Sequence, residues 1–110
     1  MNLFRPALGC ALFALALATH AAEPTSIETH SIEIRKFAFT PKEITVTPGT
    51  TIAWINRDET PHTIIAGDKS FASKAMDTDD RFEYTFTTEG DFPYTCTLHP
   101  FMTGIVHVRQ

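Results

Sequence analysis

The stretch Arg81-Phe-Glu-Tyr-Thr-Phe-Thr87 alternates aromatic and polar residues with a period of two. Successive side chains of a β-strand point to opposite faces, so this stretch predicts a strand whose aromatic face is buried. Glu89-Gly90-Asp91 then predicts a turn. After it, Phe92, Tyr94 and Cys96 share one face of a second predicted strand. This part of the chain therefore indicates β-structure that is covered on one side.

Working outward from that stretch, short segments rich in β-branched and aromatic residues recur between turn-forming residues. They predict further strands over residues 32–39, 43–47, 50–55, 62–66 and 104–109. Residues 70–80 are less regular and fit either one helical turn or an irregular loop. The seven or eight short strands and the lack of a long helical pattern predict an all-β sandwich or barrel.

The first predicted strand changes phase along its length. Ile32 and Ile34 share one face, whereas Phe37 and Phe39 share the other. An extra residue in one strand shifts the alternation in this way, so we expect a β-bulge near Arg35-Lys36.

The chain has 110 residues, enough for one domain, and its N-terminal end has the pattern of a secretory signal peptide. Arg5 precedes an apolar run over residues 8–18 that is too short to cross a bilayer. We predict a signal peptide over residues 1–21, a loose arm over 22–30 and the folded domain over 31–110. The protein is then exported to the periplasm without a stable membrane anchor; an uncleaved anchor is the alternative.

The charge balance argues against one class of partner. The chain carries 9 Lys and Arg against 13 Asp and Glu, and it contains no basic run. Because a basic patch is the electrostatic requirement for binding phosphate backbones, we expect no nucleic-acid partner.

The cysteines point to a site. Of the two cysteines, Cys10 lies in the predicted signal peptide, which leaves Cys96 alone in the exported chain. An unpaired cysteine in an exported protein is a candidate ligand or reactive thiol. A buried inert thiol is the alternative to be weighed against its neighbours.

Cys96, His99 and Met102 follow one another at intervals of three residues. Residues three apart on a straight strand face opposite sides, so these side chains can converge only in a tight loop. Thiolate, imidazole and thioether together select copper, and two histidines, one cysteine and a weak axial methionine are the ligands of blue-copper sites. His62, which follows Pro61, is the candidate second histidine. We therefore predict one copper ion, cycling between Cu(I) and Cu(II), at His62, Cys96, His99 and Met102.

Other functions for the same residues fit less well. Zinc prefers carboxylate, His or Cys to Met as its fourth ligand. A Cys–His nucleophile pair would need an orienting third residue, and none is evident in the sequence. We therefore expect an electron carrier and not an enzyme, because copper enzymes need a second copper site with further histidines. A copper chaperone or storage protein remains the alternative, although such proteins more often present exposed Met and His clusters.

The segments Cys96-Thr-Leu-His99-Pro-Phe-Met102 and Trp54-Ile-Asn56-Arg-Asp-Glu-Thr-Pro-His62 resemble the cupredoxins, specifically the amicyanin group. The resemblance implies a Greek-key β-sandwich and a periplasmic one-electron carrier that uses the same four copper ligands. It also implies redox partners, among them methylamine dehydrogenase or another periplasmic dehydrogenase and a c-type cytochrome. We expect the protein to be a monomer.

Three residues around the ligands have expected roles, and that of Asn56 is implied by the resemblance. Asn56 is expected to tie the loop that carries His62 to the backbone beside Cys96. Leu98 stands where amicyanins usually have proline, so we hypothesise that its N–H donates to the Cys96 sulfur and raises the reduction potential. Pro100 is expected to stiffen the ligand loop and to remove one backbone donor near the site.

An apolar docking surface is also expected by resemblance. Pro61, Leu98, Pro100 and Phe101 are predicted to surround the exposed edge of His99. Small apolar surfaces suit brief encounters between redox proteins, because such interfaces bind weakly and release quickly.

Overall fold

The computed structural model describes residues 29–110, and within this range all regular structure is β-strand. The eight strands are β1 Thr29–Arg35, β2 Ala38–Thr40, β3 Glu43–Val46, β4 Thr50–Asn56, β5 Ile65–Ala66, β6 Arg81–Phe86, β7 Gly90–Thr95 and β8 Thr103–Val108. The predicted signal peptide lies outside the described residues. No helix among residues 29–110 is long and apolar enough to cross a membrane.

The strands form two sheets of four. The first has the order β2-β1-β4-β6 and the second the order β3-β8-β7-β5. β1 runs parallel to β4 and β3 runs parallel to β8, while the other pairs are antiparallel. Neighbours that are not consecutive in the chain require the crossovers expected of a Greek-key arrangement. The predicted all-β sandwich is therefore confirmed, and a barrel is not formed.

An aromatic core joins the two sheets around Trp54, which is fully buried in β4. Phe82 lies opposite it on β6, with ring centroids 5.7 Å apart. Tyr94 of β7 approaches edge-on from the other sheet at 5.3 Å, and Phe71 stacks at 5.7 Å. The aromatic face of the 81–87 segment points inward, as the alternation predicts. Its side chains pack in the core between the two sheets that carry the site.

The expected bulge near Arg35-Lys36 is wrong. The chain instead reverses there in a two-residue loop, so that Arg35 of β1 pairs with Ala38 of β2. Lys36 and Phe37 have φ values of 51° and 59°. Positive φ at both central residues is the requirement of a type I′ hairpin turn. The change of phase in the sequence therefore marks a hairpin tip, and this tip lies beside the candidate site.

The structure refines the sequence prediction in two places. β1 begins at Thr29, so the last two residues of the predicted loose arm over residues 22–30 belong to the sheet. Residues 70–80 form an extended irregular segment, because backbone bridges pair His62 with Met76 and Ile65 with Ala72. The second of the two alternatives for this segment, an irregular loop, is the correct one.

His107 lies on the outer face of β8 between two carboxylates. Its Nδ1 lies 2.6 Å from Oδ1 of Asp91 and its Nε2 lies 2.5 Å from Oε1 of Glu43. Arg109 also donates to Asp91, at 2.7 Å. Hydrogen bonds to Asp91 and Glu43 raise the pKa of His107 above its ordinary value. A group whose pKa is raised by folding stabilises the fold while it is protonated.

We therefore expect His107→Gln to cost the metal-free protein stability at acid pH and progressively less as pH rises. The contribution is fully present below the ordinary histidine pKa of about 6.5 and is lost as pH passes the raised pKa. Urea unfolding of both proteins at a series of pH values would measure the difference between them. A difference that is constant with pH would show that the imidazolium contributes no stability.

Candidate metal centre

His62 is fully buried in the loop between β4 and β5. Its backbone is fixed before any ligand binds, because its N–H donates to the carbonyl of Met76 at 3.1 Å and its carbonyl accepts from the N–H of Met76 at 2.8 Å. The ring is fixed as well, since Nε2 lies 2.9 Å from Oδ2 of Asp58. A carboxylate only accepts hydrogen bonds, so Nε2 donates to Asp58 and Nδ1 is the ring nitrogen that faces Cys96.

Cys96 and His99 come from the loop that joins β7 to β8. The loop is closed by two backbone bonds: Met102 N–H donates to the His99 carbonyl at 2.9 Å, and Cys96 N–H donates to the Met102 carbonyl at 3.2 Å. Pro100 occupies the second position of the turn that the first bond closes, where proline's fixed φ is favoured. The expected stiffening of the loop by Pro100 stays a prediction.

The donor atoms of His62, Cys96 and His99 converge. All of them lie within 4.8 Å of one another, and Nδ1 of each histidine is 3.8 Å from Sγ of Cys96. Met102 is buried at the end of the same loop. Two imidazoles and one thiol at this spacing fit a single copper ion, which matches the chemistry of the donor set. Met102 as the fourth ligand stays a prediction.

Besides the two histidine rings, Thr63 contacts the sulfur of Cys96. The N–H of Thr63 donates to Sγ at 3.3 Å and its hydroxyl lies 3.6 Å away. The N–H of Thr97 donates to Oγ1 of Thr63 at 2.9 Å, which ties the two ligand loops together. Burial raises the pKa of the Cys96 thiol, but the donors from Thr63 and the rings of His62 and His99 outweigh it and lower the pKa to about 6. The thiolate form is therefore favoured.

The roles expected for Asn56 and Leu98 are corrected. Asn56 does not reach the backbone beside Cys96, because its amide donates to the carbonyls of Thr60 at 3.0 Å and Met76 at 2.8 Å. It therefore ties the His62 loop to the 70–80 segment, and Thr63 makes the link to the Cys96 loop. Among the described residues, the groups within hydrogen-bond distance of the Cys96 sulfur belong to Thr63, His62 and His99, and the N–H of Leu98 is not one of them.

Two residues of the site escape the sequence interpretation. Asp58 accepts a hydrogen bond from His62 and from the N–H groups of Lys36 and Phe37. Burial raises the pKa of this carboxyl, but the three donors outweigh burial and hold the pKa below its ordinary value. Phe37 stands edge-on to both histidine rings, with centroids 5.3 Å from His62 and 5.1 Å from His99. In the sequence, an aspartate four residues before a histidine is only a weak signal of such a contact. No pattern in the sequence indicates that Phe37 lies beside the histidines.

The predicted docking residues lie at the surface around His99. Leu98 and Phe101 have 53% and 72% of their surface exposed, and Pro61 and Pro100 are exposed as well. Phe37, at 41%, adds a further apolar side chain to this surface. His99 itself is partly exposed, in contrast to His62, so His99 is the histidine that reaches the solvent.

A β-sandwich with one copper centre, built from a buried histidine and a short Cys–His–Met loop, defines a cupredoxin. Residues 27–109 match the model of the copper binding proteins of the plastocyanin/azurin family, and the chain belongs to that family. It is amicyanin-like within the family. It is 32% identical to amicyanin of Paracoccus versutus over 94 residues, which cover 81% of this chain and 71% of that one.

A second relative and a solved structure are also amicyanins. The chain is 34% identical to amicyanin of Paracoccus denitrificans over 83 residues, covering 71% of this chain and 63% of that protein's length. A solved reduced Cu(I) form of an amicyanin mutant at pH 4 superposes with a TM-score of 0.69 at 32% identity. That match covers 74% of this chain and 82% of the solved one.

Proposed function

We propose that this protein is a periplasmic one-electron carrier whose copper is held by His62, Cys96, His99 and Met102. Copper bound there would supply one-electron chemistry by cycling between Cu(II) and Cu(I). The observation that carries the proposal is the convergence of two histidines and one cysteine within 4.8 Å in a sandwich that fixes each of them by backbone bonds. A rigid site of this kind suits electron transfer, because little has to move between the two oxidation states.

The burial of the site supports a carrier over a chaperone or storage protein. Both methionines of the described residues, Met76 and Met102, are almost fully buried, with 3% and 2% of their surface exposed. A protein that hands copper to another needs ligands that an acceptor can reach, and here the sulfur ligands are covered. Of the four proposed ligands, His99 is the one that is partly exposed to solvent.

The test of this proposal is an optical titration. We expect the copper-loaded protein to show an intense visible thiolate-to-Cu(II) band that one electron per copper removes and reoxidation restores. A copper-loaded protein without that band would contradict the site and the function together. Rapid loss of copper to a weak chelator would favour the chaperone.

We further propose that electrons come from a periplasmic dehydrogenase, with methylamine dehydrogenase as one candidate, and pass to a c-type cytochrome. The apolar surface of Leu98, Phe101 and Phe37 beside His99 supports this proposal. A partner that docks there comes within a short distance of a ligand ring, and the contact is small enough to release quickly.

Phe101 is expected to contribute most to docking, because it is the most exposed large apolar side chain of the described residues. We expect Phe101→Ala to slow reduction of a soluble c-type cytochrome by about tenfold, the effect of losing one well-packed interface residue. Stopped-flow kinetics would measure the rate, and reduction of a small inorganic complex serves as the control that should not change. An unchanged rate with the cytochrome would place docking elsewhere.

A further inference from the structure

One partly buried carboxylate, that of Asp58, contacts two separate parts of the copper site. Oδ1 of Asp58 accepts from the N–H of Lys36 at 2.6 Å, and Oδ2 accepts from the N–H of Phe37 at 2.9 Å. The same Oδ2 lies 2.9 Å from Nε2 of His62, and only 13% of the Asp58 side chain is exposed. The tip of the β1–β2 hairpin and the buried histidine are therefore anchored to one group.

The hairpin tip needs this anchor. Lys36 and Phe37 both have positive φ, a conformation that is unfavourable for a residue other than glycine. An acceptor shared by the two successive N–H groups offsets that cost and selects this turn over others. The arrangement places the Phe37 ring at 85° to the His62 ring and at 81° to the His99 ring, with the two histidine rings 5.0 Å apart.

We propose that Asp58 is the positioning residue of the copper site, fixing His62 directly and His99 through Phe37. This inference rests on the proposed function. The hydrogen bond from Nε2 keeps the lone pair of Nδ1 directed at the site and makes the imidazole a stronger donor, as carboxylate partners of metal-binding histidines do. A stronger imidazole donor stabilises Cu(II) more than Cu(I), so Asp58 lowers the reduction potential.

The test is Asp58→Ala in the mature, copper-loaded protein. Loss of a partner of this kind costs about 10–100-fold in metal affinity. We expect a loss of about 100-fold for Cu(II) and about 10-fold for Cu(I) within that range, measured by competition with nitrilotriacetate and bicinchoninate respectively. The tenfold difference corresponds to a rise in reduction potential of about 59 mV, which voltammetry would measure independently. The electron paramagnetic resonance spectrum of Cu(II) should change as well.

The chain offers a matched control in Asp91, which contacts the ring of His107 on the other sheet. Asp91→Ala removes a similar Asp–His pair and should leave both copper affinities, the potential and the spectrum unchanged. If Asp58→Ala does not fold, Asp58→Asn keeps the shape and one acceptor oxygen while removing the charge. We expect Asp58→Asn to shift the potential in the same direction by a smaller amount.

The two routes from Asp58 are separated by Phe37→Leu. This variant keeps the backbone N–H groups and the Asp58–His62 contact but removes the aromatic ring. We expect the electron paramagnetic resonance spectrum of Cu(II) to change. The proton NMR resonance of His62 Nε2–H, measured in the Cu(I) protein, should be retained.

Asp58 variants that lower the stability of the metal-free protein but keep the wild-type potential and affinities would overturn the inference. So would a Phe37→Leu protein with the wild-type spectrum, for the part that concerns His99. Failure of the proposed function is distinguishable, because it would appear in the wild-type protein as the absence of a reversible one-electron reduction.

Discussion

Replacing Cys96 by alanine is expected to abolish the visible absorption of the copper-loaded protein. The intense band of a blue-copper site arises from the thiolate, and Cys96 is the one free cysteine of the described residues. The variant loses a direct ligand, so its copper affinity should fall by more than the roughly 10–100-fold that follows loss of a ligand's hydrogen-bond partner. Optical spectra and chelator competition of the two purified proteins would measure both effects.

The control for this variant is the stability of the metal-free protein. Cys96 is fully buried, but alanine removes only one heavy atom from the core. We expect a loss of about 1 kcal/mol in the free energy of unfolding, an ordinary value for a single substitution. A folded Cys96→Ala protein that still showed the intense band would rule out Cys96 as the ligand. A variant that failed to fold would be replaced by Cys96→Ser, which is closer in size.

The parts of the molecule that the sequence predicts are those in which neighbours along the chain decide the outcome. The alternation of residues 81–86 is visible without any knowledge of the partner strand, because each side chain's face depends only on its parity. The spacing of Cys96, His99 and Met102 is equally local, since the loop that carries them closes on itself. The sandwich and most of the candidate ligand set follow from such local patterns.

The parts that the sequence does not predict depend on contacts across the chain. Phe37 reaches the histidines only because the β1–β2 hairpin ends beside a loop that follows β4. The sulfur of Cys96 accepts from Thr63, which is 33 residues away, and not from the nearby Leu98. Asn56 likewise bonds to Met76 across 20 residues. Hydrogen-bond partners of this kind are set by the packing of the two sheets, which residue type and spacing do not specify.

Gly104→Ala is expected to lower the free energy of unfolding strongly, because the added methyl group has no space. Gly104 of β8 lies directly opposite Tyr94 of β7, and the tyrosine ring covers it. A Cβ at this position would lie 2.3 Å from the Tyr94 oxygen and 2.4 Å from Cζ. The ring has no room to move, because it is packed against Phe39 at 4.8 Å and Trp54 at 5.3 Å.

Overpacking of a dense core costs about 1–3 kcal/mol and occasionally more, and we expect about 3 kcal/mol here. For a domain of this size that loss lowers the melting temperature by more than about 10 °C. Gly67→Ala is the matched control, because its Cβ would meet its nearest neighbour, Pro93, at an ordinary 3.7 Å. Calorimetry of the metal-free proteins would compare them, and equal melting temperatures would show that the tyrosine ring yields.

The same strand pair explains why Gly104→Ala should also disturb the copper site. Tyr94 precedes Cys96 by two residues and Gly104 follows Met102 by two, so the pair holds both ends of the ligand loop. Pushing β7 and β8 apart at this point would loosen the bond from Cys96 N–H to the Met102 carbonyl, which closes the loop at 3.2 Å. We therefore expect a broadened Cu(II) electron paramagnetic resonance spectrum in Gly104→Ala but not in Gly67→Ala. A sharp wild-type spectrum in a destabilised Gly104→Ala protein would mean that the loop keeps its shape without the strand pair.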